Sequence, residues 1–554
     1  MNRLRVPARA TTLTLGLVAV VSGALPLPST IHSASAQAGA RPAFAQPAAA
    51  QPAAAQPAAA QLAAAQPAAA QLAAAQPAAA QPGSAREPVG LGQVIDDILA
   101  DPALAGSQVG VVVADARTGA TLVDRGGSRR LLPASTIKLF TSAAALSVLG
   151  PGHRFTTEAK ASGVRQAGSL TGDLYLRGEG DPALTPAGLD ALARDVAASG
   201  LREITGDLVA DDTSFDTQRL GLEWAWDDEA FSGAAPVSAL TVAPDNNYLA
   251  GTVSVKVSPA PVDRRPARVT VSPAGHQLRV VNRAITAEGL TPVSVTRDHG
   301  RDVLRITGAI SKNAPPVVEP VAVRDATALT ADVFRAALRR HGVQVRGRIL
   351  TGRATPPEAV TLARHAGPPL RDLMAPLLKL SNNTMSELLI KAIGRRAAGV
   401  GSWPAGTNAV AAYLSRLGVD PTTMRQVDGS GLSRRNLVPP AAFARFLVAV
   451  RSEPWFPIWS AALPVAGRPD PMIGGTLRNR MRGTVAAGRV HAKTGTLTGA
   501  SALSGYVTMA DHGQLVFSLI VNNQLSPSVT PVLDRLAIAL AGRPQAPETV
   551  GPAR

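Results

Sequence analysis

A five-residue repeat, Gln-Pro-Ala-Ala-Ala with occasional Leu in place of Pro, occupies the sequence from Gln46 to Pro82. Its prolines oppose a regular helix and its alanines offer almost nothing to bury, so residues 37–87 are predicted to form a semi-rigid, low-complexity spacer. The spacer is either a tether that holds a folded body away from the membrane or a neutral repeat expansion. About 465 of the 554 residues remain for folded structure, which is enough for two or three domains.

The chain begins with the three parts of an export signal. A basic start with three arginines precedes an apolar stretch from about residue 11 to residue 27, and Ala34-Ser35-Ala36 follows. We expect cleavage after Ala36, so residues 1–36 are predicted to be the signal peptide of an exported, extracytoplasmic protein. The alternative is an uncleaved membrane anchor, although the apolar stretch is short for a spanning helix and contains a glycine and a proline.

Charge and composition exclude several classes of protein. The formal charge is +16 and comes mostly from arginine, but no basic run with interleaved aromatic residues accompanies it, so nucleic-acid binding is not predicted. A solvated basic surface explains the charge, and a loose association with an anionic wall or membrane surface stays open. The chain has no cysteine, which excludes disulfides, thiolate metal sites and a cysteine nucleophile. Neither a metal nor a cofactor is predicted.

The first candidate for chemistry is Ser135-Thr136-Ile137-Lys138, at the start of a helix predicted from just after Pro133 to about Leu149. One helical turn places the serine hydroxyl and the lysine amine on the same face. A lysine can accept the serine proton if burial and a nearby positive charge lower its pKa from the usual value of about 10.4. No other lysine has a serine three positions before it. The motif therefore predicts Ser135 as a nucleophile and Lys138 as its base.

Two further motifs supply what such a site still needs. Ser381-Asn382-Asn383 lies between two predicted helices, where a hydroxyl and an amide can point into a cleft. Lys493-Thr494-Gly495-Thr496 follows a strand-like run, and Gly495 would let the backbone of that edge strand approach a substrate closely. A second S-x-N copy at Ser311-Lys312-Asn313 is rejected, because it lies in a proline-rich β stretch with no helix to hold it.

The three motifs in this order are typical of β-lactamases and penicillin-binding proteins. Two features outside them are more specific. The segment Asp428-Gly429-Ser430-Gly431-Leu432-Ser433-Arg434-Arg435-Asn436 is similar to one that lines the cleft of three-domain D-alanyl-D-alanine carboxypeptidases/endopeptidases, and a long insertion between Lys138 and Ser381 is a hallmark of that branch. The chain resembles this low-molecular-mass (class C) penicillin-binding protein family over about residues 88–545.

The resemblance implies an α/β fold. We expect a penicillin-recognising, serine transpeptidase/β-lactamase-like catalytic domain, with an antiparallel sheet flanked by helices, and two inserted β-rich domains. The predicted boundaries are 88–155 and 356–545 for the catalytic domain, 156–249 and 319–355 for inserted domain II, 250–318 for inserted domain III nested within it, and 546–554 for a disordered tail.

The resemblance also implies roles for residues of the motifs. Ser135 would attack the carbonyl between two D-alanines with Lys138 as general base, and Ser381 would relay the proton toward the leaving amine. Lys493 would hold the Ser381 hydroxyl, and the backbone N–H groups of Ser135 and Thr496 would form the oxyanion hole. The predicted catalytic residues are Ser135, Lys138, Ser381, Asn383 and Lys493, and the predicted substrate-binding residues are Thr494, Gly495, Thr496, Asp228, Ser430 and Arg434.

One implied subsite lies in the insertion. In the family, an acidic residue that follows a tryptophan recognises the free amine of the diaminopimelate side chain, and Trp226-Asp227-Asp228 matches this pattern. We favour Asp228, with an ordinary turn carboxylate as the alternative. Arg434 matches an arginine of the same subsite, and its alternative is a surface ion pair. Thr498 occupies a position that varies within the family, so the side-chain preference stays open.

The sequence thus predicts a serine D-Ala-D-Ala carboxypeptidase that acts on peptidoglycan stem peptides, with endopeptidase activity possible as well and β-lactams as acylating inhibitors. A β-lactamase is one alternative, but neither an E-x-x-L-N box nor a Y-x-N motif is present. A non-catalytic wall-binding protein of the same fold is another, for which three intact catalytic residues would be a coincidence. The motifs H-E-x-x-H and G-x-S-x-G are absent, which argues against metalloprotease and lipase mechanisms.

Overall fold

The computed structural model of the protein describes residues 90–273, 278–288 and 292–542. The predicted signal peptide (1–36), spacer (37–87) and tail (546–554) lie outside the described residues. Within the described ranges, no helix combines the length and the apolar character needed to cross a bilayer.

Strands dominate both the beginning and the middle of the described chain, as the alternating and short apolar runs of the sequence predict. The described strands are β1 (Gln108–Asp115), β2 (Thr121–Arg125), β3 (Thr156–Gln166), β4 (Ser169–Gly178), β5 (Glu203–Ile204), β6 (Leu208–Asp211), β7 (Thr252–Ser258), β8 (Arg268–Ser272), β9 (Arg279–Asn282), β10 (Ile285–Thr286), β11 (Ser294–Arg297), β12 (Val303–Thr307), β13 (Ala309–Ile310), β14 (Val317–Ala322), β15 (Gln344–Val345), β16 (Ile349–Thr351), β17 (Val360–Ala366), β18 (Val490–Leu497), β19 (Ala500–Thr508) and β20 (Gln514–Asn522).

Helices concentrate in the last third of the chain, where the predicted helical patterns return. The described helices are α1 (Leu91–Leu99), α2 (Lys138–Val148), α3 (Pro186–Ala198), α4 (Ala326–Arg340), α5 (Leu370–Lys379), α6 (Asn383–Ala398), α7 (Trp403–Arg416), α8 (Pro440–Ala449), α9 (Phe456–Ala461) and α10 (Thr530–Ala541).

A five-stranded antiparallel sheet has the strand order β18-β19-β20-β1-β2. Its strands come from both sides of the insertion, since β1 pairs along its whole length with β20. Alternate residues of β1 enter different cores: Val112 packs with α2 and α8, whereas Val111 packs with α1 and α10. The sheet is therefore covered by helices on both faces, and the predicted fold class is confirmed for this part of the molecule.

A second sheet of seven strands is assembled from both halves of the insertion. Its main path is β15-β5-β4-β3-β17, and β6 pairs with β4 and β16. The helices α3 and α4 share a core with this sheet. Thr185 caps the N-terminus of α3 by accepting a hydrogen bond from the backbone N–H of Gly188, with Pro186 in the first turn.

Between β6 and α4 lie three small sheets: β14-β7-β8, β11-β12-β9 and the pair β10-β13. The insertion is thus rich in β-structure, as the resemblance implies. Strand β14 pairs with β7 along its whole length and crosses the predicted boundary between residues 318 and 319. The domain boundaries themselves stay a prediction.

Candidate active site

Ser135 lies in a tight turn immediately before α2. Residues Ala134–Ile137 form a 3-10 turn, and α2 begins at Lys138, so the helix predicted from just after Pro133 is confirmed only from the lysine onward. Ala134 has a φ of 45°, a left-handed conformation that costs a non-glycine residue about 1–3 kcal/mol. This turn leaves Ser135 partly accessible while Lys138 is fully buried.

The amine of Lys138 contacts three oxygen atoms. Its Nζ lies 2.8 Å from Ser135 Oγ, 2.7 Å from Asn383 Oδ1 and 2.7 Å from the backbone oxygen of Ser430. A neutral amine has two N–H groups and one lone pair. When the amide oxygen of Asn383 and the carbonyl of Ser430 accept the two N–H groups, the lone pair is left for the Ser135 hydroxyl.

Burial makes that neutral form available. Desolvation lowers the pKa of Lys138 to about 7, although the charges of Glu387 and Asp428 oppose the shift. A neutral lysine is therefore well populated near pH 7, as the sequence motif requires. Its deprotonated amine can accept a proton from a serine only 2.8 Å away.

A second lysine–hydroxyl pair lies beside the first. Lys493 Nζ donates to Ser381 Oγ at 2.8 Å and to the backbone oxygen of Thr494 at 2.9 Å. Burial, and secondarily the charge of Lys138, lower the pKa of Lys493 well below its ordinary value. Ser381 has a φ of 57° in the short connection between α5 and α6, which agrees with the predicted position between two helices.

Asn382, the middle residue of the second motif, joins the catalytic motif to the insertion. Its Oδ1 accepts the backbone N–H of Met385 at 2.9 Å and so caps α6. Its Nδ2 donates to the backbone oxygens of Asn247 and Tyr248, at 3.1 and 2.8 Å. The residues on either side, Ser381 and Asn383, are thereby held at the end of the helix.

The third motif lies on β18, the edge strand of the five-stranded sheet. A Cβ added at Gly495 would lie 2.5 Å from the backbone oxygen of Pro133 and 3.1 Å from Ala134 Cβ. Glycine is thus needed for the strand to pack against the turn that carries Ser135. The close approach of this backbone to a substrate stays a prediction. Thr494 donates its hydroxyl to Thr476 Oγ1 at 2.9 Å, and Thr496 is exposed.

The segment 428–436 folds around a buried carboxylate. Asp428 Oδ1 accepts the backbone N–H of Gly431 at 2.9 Å and Asn436 Nδ2 at 2.8 Å, and its Oδ2 accepts the N–H of Ser433 at 2.7 Å. A Cβ added at Gly431, which has a φ of 88°, would lie 1.9 Å from the backbone oxygen of Ala134. Ser430 is fully buried, and it meets the site through its carbonyl rather than its hydroxyl.

Sequence reasoning missed Glu387, a fully buried carboxylate on α6. Its Oε1 accepts the backbone N–H of Ser430 at 2.7 Å, and its Oε2 accepts those of Gly429 at 3.0 Å and of the Trp403 indole at 2.7 Å. The available signal was its spacing, since Glu387 lies one helical turn beyond Asn383 on the same face. Desolvation first, then the charge of Asp428, raise the pKa of Glu387 to about 7, while its hydrogen bonds oppose the shift.

The insertion reaches the same cleft. Asp228 is half-buried in the 3-10 turn Trp226–Asp228; burial raises its pKa, and the charge of Arg434 acts in the opposite direction. Arg434 Nη2 donates to the backbone oxygen of Thr498, one residue beyond β18. A Cβ added at Gly233 would lie 2.8 Å from Asn383 Nδ2. Arg434, whose charge acts on Asp228, thus lies near the end of the third motif.

The hairpin turn between β11 and β12 supports the loop that carries Asp228. Glu229 accepts hydrogen bonds from Arg297 Nη2 at 2.9 Å and from the Gly300 backbone at 3.1 Å, and its carboxylate lies 3.0 Å from His299 Nδ1. The Trp226 ring, which is 74% exposed, lies 4.6 Å from the His299 ring between centroids. The β11–β12 hairpin thus contacts Trp226 and Glu229, which lie before and after Asp228 in the chain.

The rejected S-x-N copy is remote from any such arrangement. Ser311 donates its hydroxyl to Glu288 Oε2 at 3.2 Å, and Lys312 and Asn313 lie in an exposed turn between β13 and β14. In the part of the chain that the structure describes, no three His, Cys, Asp or Glu side chains are grouped to hold a metal ion.

Comparison with known proteins decides the family. Residues 91–539 match the D-Ala-D-Ala carboxypeptidase 3 (S13) family. The chain belongs to this S13 family. Its predicted membership in the low-molecular-mass penicillin-binding proteins is confirmed, as is the D-Ala-D-Ala carboxypeptidase activity.

Individual relatives cover nearly the whole S13 region. A D-alanyl-D-alanine carboxypeptidase of Actinomadura sp. (strain R39) is 45% identical over 464 residues, which cover 83% of this chain and 86% of the relative. The crystal structure of penicillin binding protein 4 (dacB) from Haemophilus influenzae aligns with a TM-score of 0.69 at 27% identity, covering 80% of this chain and 98% of that one. The same protein complexed with a novel β-lactam gives a TM-score of 0.65 at 26% identity over the same shares. These likenesses confirm the predicted fold class.

Proposed function

We propose that Ser135 carries the acyl-enzyme of the D-Ala-D-Ala carboxypeptidase reaction and that Lys138 is its general base. The observation that carries this proposal is the set of three contacts at Lys138 Nζ, which leaves a lone pair for the serine hydroxyl 2.8 Å away. The proton of Ser135 passes to Lys138 Nζ as Oγ bonds to the carbonyl carbon of the penultimate D-alanine. Burial, which lowers the pKa of Lys138 to about 7, supports this role near neutral pH.

The leaving D-alanine needs a proton as its C–N bond breaks. Ser381 can deliver one, because it receives a hydrogen bond from Lys493 and its own O–H is free to donate toward the cleft. The Lys138 proton then restores the Ser381 hydroxyl. The backbone N–H groups of Ser135 and Thr496 are assigned to the oxyanion, and each such donor contributes about 2.7–4 kcal/mol in comparable sites.

The remaining polar groups bind the peptide. Asn383 uses its oxygen on Lys138, so its Nδ2 is the group that can donate to a substrate carbonyl. We assign Thr494 and Thr496, beside Gly495, to the terminal carboxylate. We assign Asp228, with Arg434 and Ser430, to recognition of the stem-peptide side chain, in which Asp228 would pair with a free ammonium.

Substrates and inhibitors follow from this chemistry. Peptidoglycan stem peptides that end in D-Ala-D-Ala are the substrates, and water, or the amine of a second peptide, releases the acyl group. Hydrolysis of cross-linked dimers would use the same acyl-enzyme. A β-lactam carries a strained amide that mimics the scissile bond, and the structural likeness to a penicillin-binding protein solved with a β-lactam supports trapping of Ser135.

Such substrates require an extracytoplasmic location. The amino-terminal sequence with its basic start, apolar stretch and Ala34-Ser35-Ala36 supports export and cleavage after Ala36. A loose association with the wall is compatible with the formal charge of +16.

Digestion of purified muropeptides tests the proposed function. Monomeric pentapeptides should lose one D-alanine, and loss of cross-linked dimers would add endopeptidase activity. The Ser135→Ala variant should leave both substrates intact. The matched control is Ser311→Ala, in the rejected motif copy, which should digest them like the parent. D-alanine release by Ser135→Ala at the parent rate would contradict the assignment.

A further inference from the structure

The buried bend from Gly429 to Gly431 forms a shelf against Lys138. The carbonyl of Ser430 accepts a hydrogen bond from Lys138 Nζ at 2.7 Å, and the carbonyl of Gly429 accepts one from Thr141 Oγ1 at 2.8 Å. Both carbonyls therefore face α2. The backbone N–H groups of this shelf must find partners on the opposite side, because the segment is buried.

Two buried carboxylates provide those partners. Glu387 accepts the N–H groups of Gly429 and Ser430, and Asp428 accepts those of Gly431 and Ser433. Asp428 belongs to the segment itself, whereas Glu387 is supplied by α6, the helix that also carries Asn383. One helix thus determines both acceptors of the Lys138 N–H groups: Asn383 directly and the Ser430 carbonyl through Glu387.

The contacts of Glu387 are those of an ionised carboxylate. Its two oxygens accept three hydrogen bonds, the third from the Trp403 indole, and each partner is an N–H donor. A protonated carboxyl group would have to direct its O–H at one of these donors. The three hydrogen bonds therefore favour the charged form, against the effect of burial.

We propose that Glu387 is a positioning residue for the base: it fixes the Gly429-Ser430 backbone so that the lone pair of Lys138 faces Ser135, and its negative charge stabilises the lysine once it is protonated. This inference rests on the proposed role of Lys138. The step it supports is the transfer of the Ser135 proton to Nζ, after which a buried ammonium must persist until the proton moves on to the leaving amine. Without a nearby anion, that intermediate would be costly in a desolvated site.

Other charges also face this pair. The charge of Asp428 acts on both Lys138 and Glu387, and the charges of Lys493 and Lys138 act on each other. Lys391, on the same helix as Glu387, lies 3.8 Å from the centroid of the Trp403 ring and pairs with Asp216 at 2.6 Å. Glu387 differs from these groups in combining a direct contact to the Ser430 backbone with a charge that acts on Lys138.

The pH dependence of β-lactam acylation, measured with the full chain, separates positioning from a merely structural role. The neutral form of Lys138 is the active one, so the acylation rate of the parent should rise with pH through about 7. Glu387→Gln removes a negative charge that raises the pKa of Lys138, so the acid limb should move to lower pH, by at least about half a unit. The rate on the plateau should fall by about 10- to 100-fold because the amide group cannot accept all three N–H donors.

Two comparison variants make the outcome decisive. Glu387→Asp keeps the charge but shortens the side chain, so its plateau rate should fall while its acid limb stays near that of the parent. Glu453→Gln, a matched change at a carboxylate that accepts a hydrogen bond from Arg416 at 2.9 Å, should resemble the parent in both respects.

A folded Glu387→Gln variant whose acid limb coincides with that of the parent overturns the positioning role. Should that variant not fold, a parent-like plateau rate in Glu387→Asp overturns it instead. Failure of the proposed function looks different: Lys138→Arg would then acylate at the parent rate, whatever Glu387→Gln does.

Discussion

Two regions of this protein meet at one cleft but differ in how they hold charge. The proposed catalytic centre, defined as Ser135, Lys138, Ser381, Asn383 and Lys493, contains two fully buried lysines that each contact a serine hydroxyl at 2.8 Å. The recognition rim, defined as Asp228 and Arg434, is a half-buried carboxylate opposite an exposed guanidinium.

This difference shows where a change of charge should have a large energetic effect. In the catalytic centre, burial has lowered the pKa of both lysines, so a change of charge there alters the chemistry itself. At the recognition rim, where Arg434 is exposed and Asp228 is half-buried, solvent screening should make the interaction of charges weaker. Substitutions in the centre should therefore change rates by orders of magnitude, whereas substitutions at the rim should change the choice of substrate by smaller factors.

The largest effect is expected for Lys138→Arg. Arginine keeps the positive charge but does not deprotonate near neutral pH, so it cannot accept the Ser135 proton. Acylation by a β-lactam should fall by about 10²–10⁴-fold, and circular dichroism should confirm that the variant is folded. Stopped-flow acylation measures the rate, and Lys160→Arg, outside the cleft, is the control. A parent-like rate in Lys138→Arg would show that Lys138 is not the base. The contrast between the catalytic centre and the recognition rim would then fail.

An intermediate effect is expected for Asp228→Asn. If Asp228 pairs with the ammonium of a diaminopimelyl side chain, the loss should be about 1.5–3 kcal/mol for a desolvated pair and below about 1 kcal/mol for a wet one. Peptides with an acetylated side-chain amine should be poor substrates for the parent. Their kcat/KM should be nearly the same in the Asp228→Asn variant. Values of kcat/KM for both peptides in both proteins give a double-mutant cycle.

Asp227→Asn, at the exposed neighbouring carboxylate, is the matched control for that cycle. A coupling energy near zero for Asp228→Asn would identify Asp228 as an ordinary turn carboxylate. Recognition of the side-chain amine would then have to depend on other residues of the cleft.

The smallest effect is expected for Glu229→Ala, which removes the contacts to Arg297, His299 and Gly300 behind Asp228. The Arg297 side chain is only 1% exposed, so the loss of its carboxylate partner should also lower the melting temperature. The preference for the free-amine peptide should fall by about two- to fivefold, because the ion pair at the partly exposed rim itself stays in place, while β-lactam acylation stays unchanged. Asp302→Ala, which removes a 3.0 Å ion pair with Arg324, is the control. An unaltered preference in Glu229→Ala would show that the β11–β12 turn does not support the rim.

Local patterns in the sequence were sufficient for the centre. The spacing of Ser135 and Lys138 predicted their contact because one helical turn brings them together, although Ala134–Ile137 prove to be a 3-10 turn rather than helix. The motif at Ser381 was placed between two helices and lies there, and the motif at Lys493, predicted to follow a strand-like run, lies within β18. Each of these predictions depends on residues close together in the chain.

What could not be predicted depends on contacts between distant segments. Glu387 carries no motif of its own, and its role emerges only where α6 meets the backbone of Gly429 and Ser430. The pairing of β1 with β20 likewise joins opposite ends of the folded chain, and no local pattern specifies such a partner. Asp228 was assigned by family resemblance alone, because sequence distance does not show that the insertion folds back onto the cleft.

The most direct test of the central claim is the intact mass of the full chain after exposure to penicillin. The account predicts one covalent adduct per chain, mapped to Ser135 by peptide analysis and absent from Ser135→Ala. It also predicts that Ser311→Ala forms the adduct like the parent. An adduct that persists in Ser135→Ala would contradict the account, because the nucleophile would then be another residue.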